Sequence, residues 1–346
     1  MLEEKCNRVK NIGRHYPMRP LAATVKHTMI PFLTAEQLQH ALPYPALIEA
    51  MRQAFQADIQ APARHVHTVS SEPAVTLALM PAWRPNAYLG VKLFTAVPGN
   101  PARQLPTVHY IYLLFDAATG VPLALLDGEE LSVRRTAAAS ALASGYLSRP
   151  DSATLLVVGT GKLAPYLAEA HATARPITRI AVWGRNHDKA QALCRQLQAR
   201  AWAGKLVIEA VADLDAAVAA ADIITCATTS TVPIVTGMHV TPGTHIDLVG
   251  GFKPDMREAD DALMGRATVF VDTFAGALAE AGDLLQPLQS GHLQREAIVA
   301  ELTDLTRGHH SGRSDRQEIT VFKSVGCAIE DLCAAELAWQ QLGPAT

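Results

Sequence analysis

A glycine-rich turn between a buried strand and a helix constrains this fold more than any other feature of the chain. Residues 155–164 read LLVVGTGKLA, an apolar run that breaks at Gly159 and Gly161. The first glycine permits a tight turn, the second lets a pyrophosphate approach the backbone, and Ala164 stands where helix and strand must pack closely. We expect the phosphates at the start of a helix over residues 163–173, where free N–H groups favour anions. The pattern predicts a dinucleotide-binding Rossmann unit.

The end of the next predicted strand indicates which dinucleotide binds. This strand, residues 180–183, is followed by Gly184, Arg185 and Asn186, with no carboxylate before Asp188. Units that bind NAD place Asp or Glu there to accept from the ribose 2′-hydroxyl, whereas an arginine accommodates a 2′-phosphate. A guanidinium also forms bidentate hydrogen bonds with phosphate oxygens. We therefore expect NADPH to be preferred, with NADH as the alternative; a solvated loop arginine is the other interpretation of Arg185.

The composition of the chain narrows the class of protein. Its 346 residues suffice for two domains, and 49% hydrophobic with 18% charged residues is a globular balance. A net charge of −3 without a basic stripe argues against a nucleic-acid partner. No apolar run approaches the ~18 residues that span a bilayer. The five cysteines form no CxxC pair, which favours a reducing, cytoplasmic compartment.

The first half of the chain differs in its pattern from the second half. Residues 1–28 are rich in Lys and Arg without an apolar stretch, so we expect a mobile extension. Thr34 opens a helix with a capping-box pattern, residues 44–60 predict a second helix, and a succession of antiparallel-looking strands follows. Residues 131–147 are rich in alanine and predict a long helix that leads to the second half.

From residue 153 onward, predicted strands and helices alternate. Such alternation is typical of an α/β protein with a doubly wound parallel sheet. The strands are expected at residues 155–158, 180–183, 206–211, 223–226, 245–249 and 268–271. Residues 275–305 are predicted to be helical with interruptions, and the tail from 318 onward to contain a short strand and one helix.

Several short motifs resemble those of the ornithine cyclodeaminase/mu-crystallin family, in the family's order over most of residues 30–340. They are Arg64 at a strand start, GVK (90–92), LPTV (105–108), RTAA (135–138), GTG (159–161), VGGFKPDMRE (249–258) and ITVFKSVG (319–326). The resemblance implies an α+β domain for substrate binding and dimerisation, built from residues 29–133 and 319–346. It further implies an NAD(P)-binding Rossmann domain over residues 134–318, and a homodimer.

The resemblance also implies a site for a small carboxylate. Arg64 and Lys92 would contact the substrate carboxylate, Arg135 would lie between substrate and cofactor, and Gly326 would line the substrate site. The three cations lie in apolar or helical contexts without acidic neighbours in the sequence, and buried cations need an anion. Strand-end surface charges are the alternative. Lys92 and Arg135 are the catalytic candidates, and either Lys92 or a water would donate the proton.

The residues expected to bind the cofactor come from the glycine-rich turn, the second strand end and the resemblance. They are Thr107, Arg135, Thr136, Gly159, Gly161, Lys162, Leu163, Arg185, Asn186, Thr228, Val249 and Val325. No metal site is predicted: His65 and His67 share a strand face without a third ligand. Asp255 and Glu258 form a carboxylate pair near the loop, which the cap of a helix would explain equally well.

One departure from the family pattern bears on the reaction. Ornithine cyclodeaminases carry a catalytic aspartate directly after the two glycines that correspond to Gly250 and Gly251, where this chain has Phe252. A deaminating cyclase needs a general base, whereas a cyclic imine needs only a hydride and a proton. We therefore expect NAD(P)H-dependent reduction of Δ1-pyrroline-2-carboxylate or Δ1-piperideine-2-carboxylate to L-proline or L-pipecolate. Ornithine cyclodeaminase, amino-acid dehydrogenase and a non-catalytic, mu-crystallin-like NADP-dependent ligand-binding protein are the alternatives.

Overall fold

Two β-sheets organise the computed structural model, which describes residues 29–343. The predicted extension over residues 1–28 lies outside these residues. One sheet has six strands and the other has eight, and every pairing in the eight-stranded sheet is parallel. Within residues 29–343, no helix is long and apolar enough to cross a membrane.

The first sheet is built from the N-terminal part of the chain. Its strands are β1 (Phe32–Leu33), β2 (His65–Ser71), β3 (Ala74–Trp83), β4 (Tyr88–Ala96), β5 (Val108–Asp116) and β6 (Pro122–Asp127). Their order is β1-β6-β5-β4-β3-β2, and all pairs are antiparallel except the edge pair β1–β6. Side chains alternate between a face buried under helices and a partly exposed face, as the two-residue period of a strand requires.

Two helices lie between β1 and β2 in the chain, α1 (Ala35–Ala41) and α2 (Tyr44–Gln56). The predicted capping box is confirmed: Thr34 Oγ1 accepts from the Gln37 N–H, and the Gln37 side chain accepts from the Thr34 N–H. The predicted end of the second helix at residue 60 is wrong. The backbone becomes extended at Ala57, because Gln60 forms backbone hydrogen bonds with Trp83 at the sheet instead of continuing the helix.

A long helix, α3 (Gly128–Leu147), connects the two sheets. It begins three residues earlier than predicted, since Asp127 accepts hydrogen bonds from the N–H groups of Glu129 (3.1 Å) and Glu130 (2.8 Å). Most of its residues are buried, and it contacts β5 of the first sheet and strands of the second. Its many alanines let it approach both sheets closely.

The second sheet contains all six predicted parallel strands and two more. They are β7 (Thr154–Val158), β8 (Arg179–Trp183), β9 (Val207–Ala210), β10 (Ile223–Cys226), β11 (His245–Leu248), β12 (Thr268–Val271), β13 (Ile298–Glu301) and β14 (Thr320–Lys323). Their order is β13-β12-β14-β11-β10-β7-β8-β9, so the Rossmann-type sheet is confirmed. The helical prediction is wrong at 298–301, where pairing with β12 imposes a strand.

Helices flank this sheet, and the predicted helix at 163–173 is present one residue later. They are α4 (Ala164–Ala174), α5 (His187–Gln198), α6 (Leu214–Ala220), α7 (Asp261–Met264), α8 (Phe274–Glu280), α9 (Gly282–Ser290) and α10 (Leu302–Arg307). Two of them, α8 and α9, lie between β12 and α10, in the region that was predicted as interrupted helix.

The C-terminal tail adds a strand to the second sheet and packs a helix against the first. The boundary between the two units therefore lies after β14 and not at residue 319, where it was predicted. β14 inserts between β11 and β12 in the second sheet, although residues from 319 onward were predicted to belong to the substrate-binding domain. Only the segment after β14 returns to the first unit, where α11 (Ala328–Leu342) packs against α2, β3 and β4. The segment 324–327 therefore lies at the junction of the two units.

Candidate active site

A cleft of about 410 Å³ opens at this junction. Its walls come from α3, the glycine-rich turn, the loops after β10 and β11, and the segment after β14. The predicted site residues that line it are Arg135, Thr136, Gly161, Lys162, Leu163, Thr228, Val249, Val325 and Gly326. Tertiary structure thus brings together residues from five separate parts of the chain.

The glycine-rich turn has the backbone geometry that a dinucleotide needs. Gly159 has φ +118°, and a Cβ there would lie 2.9 Å from the carbonyl oxygen of Ala227. Gly161 lies in the turn just before α4, and a Cβ there would have no heavy atom within 4 Å. This open backbone at a helix N-terminus fits a pyrophosphate. Lys162 beside it pairs with Glu129 across 2.5 Å.

The predicted selectivity residues lie at the end of β8. Arg185 and Asn186 are exposed, and neither lines the cleft itself. Asn186 caps α5, because its side chain accepts from the Lys189 N–H at 3.0 Å. Within the described residues, Arg185 forms no ion pair, so its guanidinium is free to meet an anion.

The three cations have acidic partners in the structure, although none of these partners is a neighbour in the sequence. Lys92 Nζ lies 2.9 Å from Asp331 Oδ1 and 2.7 Å from Oδ2, and Arg135 Nε lies 2.9 Å from the same Oδ1. Arg135 Nη1 also bonds to Glu330. Both carboxylates begin α11, about two hundred positions from Arg135 in the chain, so no local pattern around the cations revealed them.

Arg64 occupies an adjoining cavity of about 290 Å³ that shares Gly326 with the cleft. Its Nη2 donates to the carbonyl oxygens of Val325 (3.1 Å) and Gly326 (2.8 Å), and its Nε lies 3.1 Å from Glu280. Gly326 has φ +80°, and a Cβ there would lie 2.5 Å from Arg135 Nη1. Only glycine therefore lets Arg64 and Arg135 approach the same segment.

Burial changes the acid–base properties of the cluster formed by Lys92, Arg135, Glu330 and Asp331. Lys92 is 2% exposed, and burial together with the charge of Arg135 lowers the pKa of its ammonium to about 8. Burial also raises the pKa of Glu330 to about 7, which the attraction of Arg135 only partly opposes. Lys92 does not line the cleft but lies behind Arg135, to which Asp331 connects it.

Two further buried carboxylates hold the loops of the cleft. Asp272 accepts from the N–H groups of Val325 (2.7 Å) and Gly326 (2.6 Å). Glu258 accepts from those of Thr228 (2.6 Å) and Gly250 (2.7 Å). The interpretation of Glu258 as a helix cap is wrong, since no helix begins there and its carboxylate bonds to two loops instead.

The remaining predicted residues lie apart from the cleft. Thr107 is exposed just before β5, and His65 and His67 are exposed on β2. Phe252 does line the cleft and is 42% exposed. Sequence reasoning missed Glu330, Asp331 and Asp272; the available signal was an acidic pair opening an otherwise apolar, alanine-rich helix.

A Rossmann-type sheet with a glycine-rich turn at the wall of a cleft defines the class of nucleotide-dependent proteins. The chain belongs to the ornithine cyclodeaminase/mu-crystallin family, whose model matches residues 30–343. The Delta(1)-pyrroline-2-carboxylate reductase of Colwellia psychrerythraea is 40% identical over 314 residues, which cover 90% of this chain and 98% of that protein.

Solved structures of relatives share the whole architecture. The Delta(1)-pyrroline-2-carboxylate reductase of Thermococcus litoralis, in complex with NADH and L-proline, has a TM-score of 0.83 and 32% identity. It covers 90% of this chain and 97% of its own. An archaeal alanine dehydrogenase dimer with bound NAD has a TM-score of 0.82 and 26% identity, with coverage of 90% and 95%.

Proposed function

We propose that this chain, an NAD(P)H-dependent imine reductase, converts a cyclic ketimine carboxylate to an L-imino acid. The substrates we propose are Δ1-pyrroline-2-carboxylate and Δ1-piperideine-2-carboxylate, with L-proline and L-pipecolate as products. One observation carries the proposal: Arg135 both lines the nucleotide cleft and belongs to the buried cluster with Lys92. The reductases of Colwellia psychrerythraea and Thermococcus litoralis support the same reaction class.

Arg135 is the proposed anchor of the substrate carboxylate. Its Nε and Nη1 are bound to Asp331 and Glu330, and within residues 29–343 no hydrogen bond occupies its Nη2. With Nε and Nη1 held by two carboxylates, the guanidinium has a fixed orientation and offers Nη2 as the donor to a substrate carboxylate oxygen. Arg64 and Gly326 would complete the carboxylate site from the adjoining cavity.

The glycine-rich turn and its neighbours are the proposed cofactor site. Gly159, Gly161 and Lys162 would hold the pyrophosphate, and Thr228 and Val249 would line the cleft beside the nicotinamide half. When bound, the reduced nicotinamide supplies a hydride to the imine carbon. We propose that NADPH is preferred through Arg185, although the relatives' structures contain NADH or NAD.

Lys92 is the proposed source of the proton that the product nitrogen needs, through a water, since Lys92 itself does not line the cleft. Its pKa of about 8 lies close enough to neutrality for the ammonium to release a proton. Asp331 holds the ammonium with both carboxylate oxygens, which fixes its direction relative to Arg135. Arg135 and Lys92 are thus the proposed catalytic pair.

The carboxylates near Phe252 argue against a cyclodeaminase. Both oxygens of Glu258 accept backbone N–H groups of the cleft loops. Asp283 accepts from the N–H of Glu258 and pairs with the buried Lys323 at 3.2 Å. Neither group is free to replace the missing aspartate as a general base.

A homodimer is proposed from the partly exposed face of the first sheet, which we call the outer face. Its apolar side chains stand in register across neighbouring strands: Leu79, Leu93 and Ile111 in one row, and Pro81, Val91, Leu113 and Leu125 in the next. A contiguous apolar face of this kind favours association, and two-fold pairing is the commonest solution. The archaeal alanine dehydrogenase relative is a dimer.

A comparison of substrates tests the proposed reaction. Purified protein should oxidise NADPH with five- or six-membered cyclic imine carboxylates, and it should release no ammonia from ornithine. Pyruvate with ammonia tests for an amino-acid dehydrogenase, and NADPH binding without turnover of any imine would indicate a ligand-binding protein. Robust conversion of ornithine to proline with negligible imine reduction would overturn the role assigned to Phe252.

A further inference from the structure

The charges of the buried cluster cancel before any substrate binds. Lys92 and Arg135 supply two positive charges, and Glu330 and Asp331 supply two negative charges when both carboxyls are ionised. Glu330 and Asp331 have no exposed surface. A substrate carboxylate at Arg135 would therefore add an uncompensated anion to a buried, neutral group of charges, which is costly.

The two carboxylates differ in how strongly their charge is held. Asp331 contacts Lys92 through both of its oxygens and Arg135 through Oδ1. Glu330 bonds to Arg135 alone, through Oε2, and its Oε1 faces only the Cys327 thiol at 3.6 Å. Neutralising Glu330 breaks one ion pair, whereas neutralising Asp331 would break two.

We propose that Glu330 is a positioning residue that takes up a proton when a substrate carboxylate binds to Arg135. The inference rests on the proposed function, since it requires an anionic substrate at Arg135. The balance is complete: one carboxylate enters, one proton enters from solvent, and the net charge of the cluster is unchanged. Neutral Glu330 still accepts a hydrogen bond from Arg135, so the guanidinium keeps its orientation.

The surroundings of Glu330 support this role. Burial, Asp272 and Asp331 raise the pKa of Glu330 against the opposing charge of Arg135, and together these influences bring it to about 7. Its other close titratable neighbour is Cys327. An anion arriving at Arg135 would raise the pKa again. Glu330 then has one pKa in the free enzyme and a higher one in the complex with the anion. Between these two pKa values, the affinity for the anion should fall by up to about tenfold for each unit of rising pH.

Other titrating groups near the cluster must be separated from Glu330. Lys92 reaches Glu330 only through Asp331. Because the pKa of Lys92 is about 8, the fraction of Lys92 present as neutral amine also takes up a proton when an anion binds. Arg64 and Glu280 form a charge-balanced pair in the adjoining cavity. A Lys92→Arg variant keeps the positive charge without titrating in this range.

Calorimetric titration with pyrrole-2-carboxylate tests the proposal. This probe is a planar five-membered ring carboxylate whose nitrogen does not titrate near neutrality. NADPH-saturated enzyme is titrated at about pH 7.5 in two buffers of different ionisation enthalpy, which gives the protons taken up on binding. We expect uptake by wild type and by Lys92→Arg, and its loss or reduction to less than about half in Glu330→Gln, whose amide keeps the acceptor for Arg135.

The pH dependence of the dissociation constant gives a second readout. We expect a rise with pH above about 7 in wild type and a flatter profile in Glu330→Gln. Binding by wild type without proton uptake would overturn the proposal, as would equal uptake by Glu330→Gln. If wild type reduces imines but shows no uptake, only this inference fails; if it neither binds the probe nor reduces imines, the proposed function fails too.

Discussion

Lys92 and Asp331 form a buried ion pair with 2.7 Å between Nζ and Oδ2, although 239 positions separate them in the chain. Lys92 belongs to β4 of the first sheet, and Asp331 begins the helix that follows the last strand of the second sheet. The same carboxylate binds Arg135 at the wall of the cleft. The pair therefore ties the C-terminal tail to the first sheet at the proposed substrate site.

Replacing Asp331 with Asn should impair both stability and activity. The amide preserves the shape of the side chain but leaves the buried Lys92 without an anion and Arg135 with Glu330 alone. We expect the free energy of unfolding to fall by about 3–5 kcal/mol, as measured by urea denaturation. Imine reduction, followed by NADPH oxidation, should lose at least about 100-fold in kcat/KM, because Arg135 loses its fixed orientation. Asp151→Asn is the matched control, since its pair with Arg316 is exposed. Wild-type activity in Asp331→Asn would contradict the arrangement.

Replacing Arg185 with Ala should remove the preference for NADPH. The guanidinium is exposed at the end of β8 and has no acidic partner within the described residues. Loss of a charge-assisted contact to the 2′-phosphate should raise the KM for NADPH by about tenfold or more and leave that for NADH nearly unchanged. Steady-state kinetics with both cofactors measures the two KM values.

The control is Arg195→Ala, because Arg195 is an exposed arginine on α5. This variant should change the KM for neither cofactor. Equal effects of Arg185→Ala on both cofactors would refute the assignment.

The pH dependence of imine reduction should report the titration of Lys92. Burial and Arg135 lower its pKa to about 8, so the charged form is present below that pH and is lost above it. We expect kcat/KM to decrease as pH rises through about 8, because the substrate carboxylate loses one positive charge nearby. In Lys92→Arg the charge persists, and the decrease should move to higher pH even if overall activity is lower. An unchanged profile in that variant would exclude Lys92 as the titrating group.

A charge on the outer face should prevent dimerisation. Leu113 lies in the centre of the outer face, in register with Val91 and Leu125. Glutamate at this position would bury a carboxylate in the proposed interface, which is costly without a partner. Light scattering should show a dimer for wild type and a monomer for Leu113→Glu. Val207→Glu is the control, because Val207 is 57% exposed on the edge strand β9 of the other sheet. A wild-type monomer would refute the proposal.

Local patterns in the sequence determined the Rossmann unit. The turn at Gly159 and Gly161 has the required backbone geometry, and the six predicted parallel strands are all present. The capping box at Thr34 could also be predicted from the sequence, since its partner Gln37 lies only three residues away. These features depend on hydrophobic periodicity and on contacts between near neighbours, which a single sequence displays directly. The family motifs added the cleft residues that no periodicity distinguishes, such as Val249 and Val325.

Only the tertiary structure decided how the charged groups of the site are partnered. From the sequence, Arg135 is a cation that needs an anion, but its anions lie about two hundred positions away in α11. The placement of β14 between β11 and β12, and the strand at 298–301, likewise depend on pairing with distant strands. An ion pair or a sheet register is a property of two segments at once. Its energy depends on burial and distance, and neither exists until the chain has folded.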